Sequence, residues 1–140
     1  LINMILLFEI RLHKRCFRTG KKIGSKNIIF SGGEPLLHPK FYKSLEYGFN
    51  RGFEIPVTSN GTFIDEECVN KLKSVDAKVT ISIDGSSPKI NDSLRGAGTF
   101  KKAINAVESL VDSNIYTSMR MTLLKSNLGD LRNYIVQDCL

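Results

Sequence analysis

The chain has 140 residues, 41% hydrophobic and 24% charged, with a formal net charge of +6. That balance describes one globular domain or part of a larger one, long enough to bury a core without covalent staples. Cys16, Cys68 and Cys139 are too widely spaced for a CxxC metal or redox motif and too few for a disulfide scaffold, so a reducing, cytoplasmic setting is expected. No apolar run reaches the ~18 residues of a membrane span. Glu9 and Arg11 interrupt the N-terminal run and no basic region precedes it, so neither a signal peptide nor a membrane partner is expected.

The positive charge is concentrated up to Lys26, where seven basic residues face Glu9 alone; beyond it, thirteen basic and thirteen acidic residues cancel. This basic segment carries a single aromatic, Phe17, and no zinc or helix-turn-helix signature, so it reads as a solvated helix face and nucleic acid is not expected as a partner. It reads as a lead-in helix over 1–26, although its leading apolar run could equally begin as a strand. The chain also opens on Leu1, which suggests a trimmed or incomplete product.

Four short runs rich in β-branched residues follow, at 27–31, 53–58, 78–83 and 115–122, each ending at a turn signal. Between them lie segments of helical spacing. Lys40 to Asn50 places Phe41, Leu45 and Phe49 on one face, and Asp65 to Val75 turns Val69 and Leu72 inward. Thr99 can cap a helix to Asp112, with Phe100, Ala103, Ile104, Val107, Leu110 and Val111 as its buried stripe. Gly129 to Asp138 groups Leu131, Tyr134 and Ile135, and a long loop fills Gly85 to Gly98. Strand, loop and helix, repeated four times over 27–140 with no linker, predict a single α/β domain with a parallel sheet. Truncation would leave the strands at 27–31 and 115–122 as open edges.

In parallel α/β folds, ligands sit beyond the carboxyl ends of the strands. There this sequence places Gly32, Gly33, Glu34 and Pro35, then Thr58, Ser59, Asn60 and Gly61, then Ser82, Asp84 and Gly85. Adjacent glycines let a ligand approach the backbone, Glu34 can accept from an ammonium, and Pro35 stiffens the exit. Ser82 and Asp84, two apart, share a face and suit ribose hydroxyls. Gly-Gly, Asn-Gly and Asp-Gly are each ordinary turn formers; their recurrence at one end of successive strands suggests a shared pocket.

The runs Ser31-Gly32-Gly33-Glu34-Pro35-Leu36-Leu37-His38-Pro39, Thr58-Ser59-Asn60-Gly61-Thr62 and Ser82-Ile83-Asp84-Gly85 together resemble the core of a radical S-adenosylmethionine (AdoMet) enzyme. Asn91-Asp92 and Arg95-Gly96 before Thr99-Phe100 resemble its SPASM-like branch, which modifies peptides and tetrapyrrole-type cofactors. The likeness covers about residues 24 to 133 and implies a partial (β/α)6 TIM-like barrel, truncated at both ends with about four βα units visible. It implies AdoMet and a [4Fe-4S] cluster as cofactors, with a 5′-deoxyadenosyl radical abstracting hydrogen from a peptide or small-molecule cofactor precursor. A flavodoxin or ferredoxin is the implied electron donor.

Carried over by match, Gly32, Gly33, Glu34 and Pro35 hold the methionine amino group. Ser82 and Asp84 face ribose or carboxylate, Thr58 and Asn60 line the pocket, and Arg95 is a further carboxylate candidate. The stretch Thr122 to Asn127 flanks adenine. The family's CxxxCxxC cluster loop is absent, which places that loop before Leu1 and makes Cys16, Cys68 and Cys139 structural. His13 and His38 are isolated, with His38 ordering its turn. No residue is therefore assigned as a metal ligand or catalytic group, and the chain alone is expected to be inactive. The alternative is a cluster-less nucleotide-binding module with a regulatory or scaffold role.

Overall fold

The computed structural model describes residues 3–7 and 13–137, with side chains described over 15–136. Five strands make one parallel sheet: β1 (Asn3–Leu7), β2 (Asn27–Ser31), β3 (Pro56–Ser59), β4 (Lys78–Ser82) and β5 (Thr117–Arg120), in spatial order β1-β2-β3-β4-β5. The helices are α1 (His13–Lys22), α2 (Phe41–Phe49), α3 (Glu66–Ser74), α4 (Pro88–Arg95), α5 (Thr99–Asp112) and α6 (Leu131–Gln137), with 3-10 turns at Pro35–Leu37 and Leu128–Asp130. A strand order that never reverses winds every crossover the same way, so the helices cover one face of the sheet. That is the arc of a (β/α) barrel rather than of a doubly wound sheet.

The basic lead-in is a strand followed by a helix, the alternative its apolar start left open. β1 pairs with β2 from Asn3↔Asn27 to Leu7↔Ser31. The strand at 27–31 is therefore interior, and β1 rather than β2 stands at that side of the described sheet. Pairing between β2 and β3 is sparser, a bridge at Asn27↔Glu54 and Phe30↔Val57, because Pro56 lacks an N–H to give the ladder.

Alternation along the strands separates two faces. Ile28, Phe30, Val57, Val79 and Ile81 are almost fully buried against the helices, whereas Ile29, Ser31, Thr58, Thr80 and Ser82 on the other face are half-exposed. On the helix side, Phe30 meets Phe41 edge-on with ring centroids 5.8 Å apart, and Leu45, Cys68, Leu72, Ala103 and Leu110 complete the core. Three of the expected stripe residues, Phe49, Val111 and Ile135, are instead exposed. In α2 it is Gly48 beside Phe49 that faces the core, against the Phe17 ring.

The segment expected as one loop from Gly85 to Gly98 contains α4. Its start is written in Ser87-Pro88, with proline at the first helical turn where its missing N–H costs nothing, and its end in Gly96. Thr99 is the first residue of α5 rather than its cap. The exposed amides are met from a distance: Asp92 accepts from Gly98 N–H at 2.7 Å and Phe100 N–H at 2.8 Å. The Phe100 bond, helped by those of Gly98, Asn91 and Thr99, holds the Asp92 carboxyl below the usual aspartate range against the effect of burial.

Candidate functional site

Two carboxylates tie the strand exits in pairs, that of β2 to that of β3 and that of β4 to the chain beyond β5. Glu34 caps the turn at Pro35–Leu37, accepting from Leu36 N–H at 3.3 Å. The same carboxylate takes the Ser59 hydroxyl at 2.9 Å and Asn60 N–H at 2.8 Å, clamping the β2 exit to the β3 exit. A carboxylate has about four acceptor positions; three are used, and one remains on Oε2. Beside it, Gly32 has φ of 130°, a conformation that a side chain would strain, while a Cβ on Gly33 would meet nothing within 4 Å. The backbone there is open to an approaching ligand.

Asp84 is the second clamp. It is 6% exposed; its Oδ1 accepts from Thr122 N–H at 2.7 Å, joining the β4 exit to the chain beyond β5. Its Oδ2 lies 2.7 Å from Arg95 Nε. The Nε–H does not point along that line, so the contact is a Coulombic pairing and the buried Nε–H lacks an aligned acceptor. Asn91, 1% exposed, accepts from Asp84 N–H at 2.9 Å and donates to Thr99 Oγ1 at 3.0 Å. Gly85 allows this closeness, since a Cβ there would stand 2.5 Å from Ile90 and 2.8 Å from Asn91 N. Asn127 closes the ring by donating to Asp84 O and Thr122 O.

These clamps surround a cavity of about 350 Å³ lined by Asn60, Ser82, Asp84, Asn91, Arg95 and Thr99, together with Leu94. The size lies at the small end of the range for small-molecule sites, and its polar lining is dense for one. Four of the nine residues singled out from sequence, Asn60, Ser82, Asp84 and Arg95, meet there. Glu34, Gly33 and Pro35 line an adjoining hollow of about 290 Å³, joined to the first through the Glu34–Asn60 bond. Gly32 is exposed beside them, and Thr58 lies one layer below on the same sheet face as Ser82. Asp84 acts first as a brace, since Thr122 and Arg95 occupy its two oxygens. Of the stretch expected at adenine, Asn127 is 1% exposed and serves the loop's own backbone.

Sequence reasoning named Ser59, Asn91 and Thr99 without giving them a site role and passed over Asp130, which accepts both the amide and the hydroxyl of Ser86 at 2.6 Å. Burial pushes the Asp130 carboxyl up, but the two Ser86 bonds, with Asn133, outweigh it and leave the group below its usual range.

An iron–sulfur cluster needs three or four converging thiolates, and among the described residues no group of three metal-ligating side chains forms. Cys68 is enclosed in the core, where burial pushes its thiol up to about 11 despite a hydrogen bond with Tyr42. Cys16 lies on α1 and is half-buried; Cys139 lies outside the described residues. The connection between β1 and α1, residues 8–12, reads Phe-Glu-Ile-Arg-Leu, without cysteine, and is likewise outside the described residues. The described side chains do not fit a cluster. His38 uses Nδ1 to accept from Lys40 N–H at 3.1 Å, as a turn-ordering residue does; the His13 side chain is outside the described set.

A rim of small and acidic residues at the carboxyl ends of a parallel arc defines a class, and comparison with known proteins gives it a family. The Radical SAM superfamily model matches residues 11–135, so this chain belongs to the radical SAM superfamily. It is 32% identical over 111 residues to an AdoMet-dependent heme synthase of Methanosarcina barkeri, covering 78% of this chain and 32% of that protein. It is 34% identical over 109 residues to the mycofactocin maturase MftC of Mycobacterium tuberculosis, covering 76% and 28%. The chain thus spans about a third of the length of these relatives. Among solved structures, it matches Streptococcus suis SuiB bound to S-adenosylmethionine with a TM-score of 0.73 at 16% identity, over 90% of this chain and 30% of that one. The native anSMEcpe with bound AdoMet gives 0.70 at 20%, over 86% and 37%. At those identities the likeness is one of fold, and it makes the five-stranded arc part of a radical SAM barrel.

Proposed function

We propose that this chain carries the AdoMet-binding core of a radical SAM enzyme acting on a peptide or a cofactor precursor. The observation that carries the reading is the cavity where Asn60, Ser82 and Arg95 converge at the strand ends. Arg95 and Ser82 offer donors to the ligand's carboxylate and ribose. The free position on Glu34 Oε2, beside the open backbone of Gly33, takes its ammonium. The substrate class follows the relatives, a heme synthase and a mycofactocin maturase by their names. Radical SAM chemistry draws on a [4Fe-4S] cluster, which the described residues do not hold. The work of these residues is to bind and orient the sulfonium nucleoside.

Calorimetry with AdoMet is the test. A saturable isotherm is expected, weakened when Glu34 is replaced by Ala and when Arg95 is replaced by Gln. Failure of the folded wild-type chain to bind AdoMet at all would sink the proposal. The cysteine-free connection at 8–12 favours a second reading, a nucleoside-binding module that works without a cluster. Anaerobic reconstitution with iron and sulfide of the protein as its gene encodes it separates the two, since the second expects AdoMet binding with no bound iron.

A further inference from the structure

Helix α4 meets the cavity with one face. Asn91 and Arg95 stand one helical turn apart on it, and both line the cavity. Both grip the same residue at the exit of β4. Asn91 accepts from Asp84 N–H at 2.9 Å, and Arg95 Nε stands 2.7 Å from Asp84 Oδ2. The two contacts fix different things. A charge pair made through Nε holds the root of the guanidinium, while among the described residues its outer nitrogens, Nη1 and Nη2, have no protein partner. Their direction therefore follows from where α4 sits.

Asn91 sets that position. It is 1% exposed, and its amide is engaged at both ends, Oδ1 with Asp84 and Nδ2 with Thr99 Oγ1 at 3.0 Å and Asp92 Oδ1 at 3.2 Å. Moving it would leave buried polar groups unpaired, so it has one orientation. One side chain thus joins the exit of β4, the middle of α4 and the first turn of α5. Gly85 keeps the approach short, since a Cβ there would stand 2.5 Å from Ile90 and 2.8 Å from Asn91 N. Arg95 is a quarter exposed by comparison. Two parallel N–H bonds to a carboxylate demand alignment of the guanidinium plane, which a charge pair at Nε does not supply.

We propose that Asn91 is a positioning residue that acts on the ligand through Arg95. It holds α4 at the depth where the outer guanidinium nitrogens meet the carboxylate of AdoMet. The proposal rests on the reading of the cavity as the AdoMet site, and it gives the carboxylate to Arg95 and the ribose to Ser82.

The experiment is calorimetry on the protein with two ligands that differ at one group, AdoMet and decarboxylated AdoMet, beside chemical denaturation. Wild type is expected to prefer AdoMet by about tenfold or more, the worth of a charge-assisted bond. Asn91→Ala should reduce the preference to about twofold or less, with affinity for decarboxylated AdoMet kept within about threefold. Arg95→Gln should do the same, and combining the two should lower the preference no further, because the residues act as one unit. Gly85→Ala, outside the cavity lining, presses α4 away from β4 and should erode the preference likewise; it decides the matter should Asn91→Ala fail to fold. A purely structural Asn91 would lower the denaturation midpoint and leave the ratio of the two affinities as in wild type. That result, an equal loss for both ligands, or a wild type without preference overturns the proposal while the cavity stands as the AdoMet site. If wild type binds neither ligand, the reading of the cavity falls with it.

Discussion

The two faces of the sheet are built on opposite terms. The helix-covered face carries Ile28, Phe30, Val57, Val79 and Ile81, each at most 1% exposed and packed against further apolar side chains. The other face carries Ser31, Thr58, Thr80, Ser82 and Ser118, half-exposed and mostly hydroxyl-bearing. The first face is finished by the chain itself, and its energy comes from removing hydrocarbon from water. The second displays donors and acceptors that only another molecule or further chain can fully use. A side chain's contribution to stability should therefore divide from its contribution to binding along the pleat of the strands.

The largest test of that division is Phe30→Ala. Phe30 is fully buried and meets Phe41 edge-on, so truncation should cost about 3–5 kcal/mol in chemical denaturation. A loss below about 1 kcal/mol would show that the helix-covered face is not the stabilising one. Next in size is Asp84→Asn at the rim between the faces. The substitution removes the charge opposite Arg95 and leaves that partly buried guanidinium uncompensated, for roughly 2–3 kcal/mol, less than a fully buried pair because Arg95 is a quarter exposed. The same denaturation curves measure it.

How much of this could be read from the sequence follows the same divide. The β-branched runs exposed the strands, and Phe41, Leu45, Val69 and Leu72 exposed the inward helix faces, because burial on one side leaves a period in the chain. The small and acidic residues at strand ends exposed the rim. The roles of Glu34 and Asp84 as clamps were not legible: Ser59 and Asn60 lie 25 and 26 positions from Glu34, and Thr122 lies 38 from Asp84. Only the register of neighbouring strands brings them together. Helix α4 was legible in Ser87-Pro88 and Gly96 and was overlooked because its eight residues carry a short apolar stripe.

A smaller effect comes from acid. Asp92 and Asp130 both have folded values below their unfolded ones. Their stabilisation is therefore complete above the unfolded aspartate value of about 3.9 and is lost as the pH falls through the folded values. The denaturation midpoint should stay level from neutrality down to about pH 4 and then decline. Because Asp92 holds the amides of Gly98 and Phe100, Asp92→Asn should flatten part of that decline. An acid limb of unchanged steepness would show that this loop is held by other means.

The smallest change in stability should accompany a clear change in binding. Ser82 is half-exposed, its side chain makes no hydrogen bond among the described residues, and it lines the cavity. Ser82→Ala removes one hydroxyl from the open face and nothing from the core, so the denaturation midpoint should correspond to a change within about 0.5 kcal/mol. Affinity for AdoMet should fall by the worth of one hydrogen bond, about 0.5–1.5 kcal/mol, or roughly two- to tenfold by calorimetry. Phe30→Ala and Ser82→Ala stand on opposite faces of one pleated sheet. If Ser82→Ala lowered stability and left AdoMet binding untouched, the open face would be a second structural surface, and the ligand would have to be sought elsewhere on the barrel.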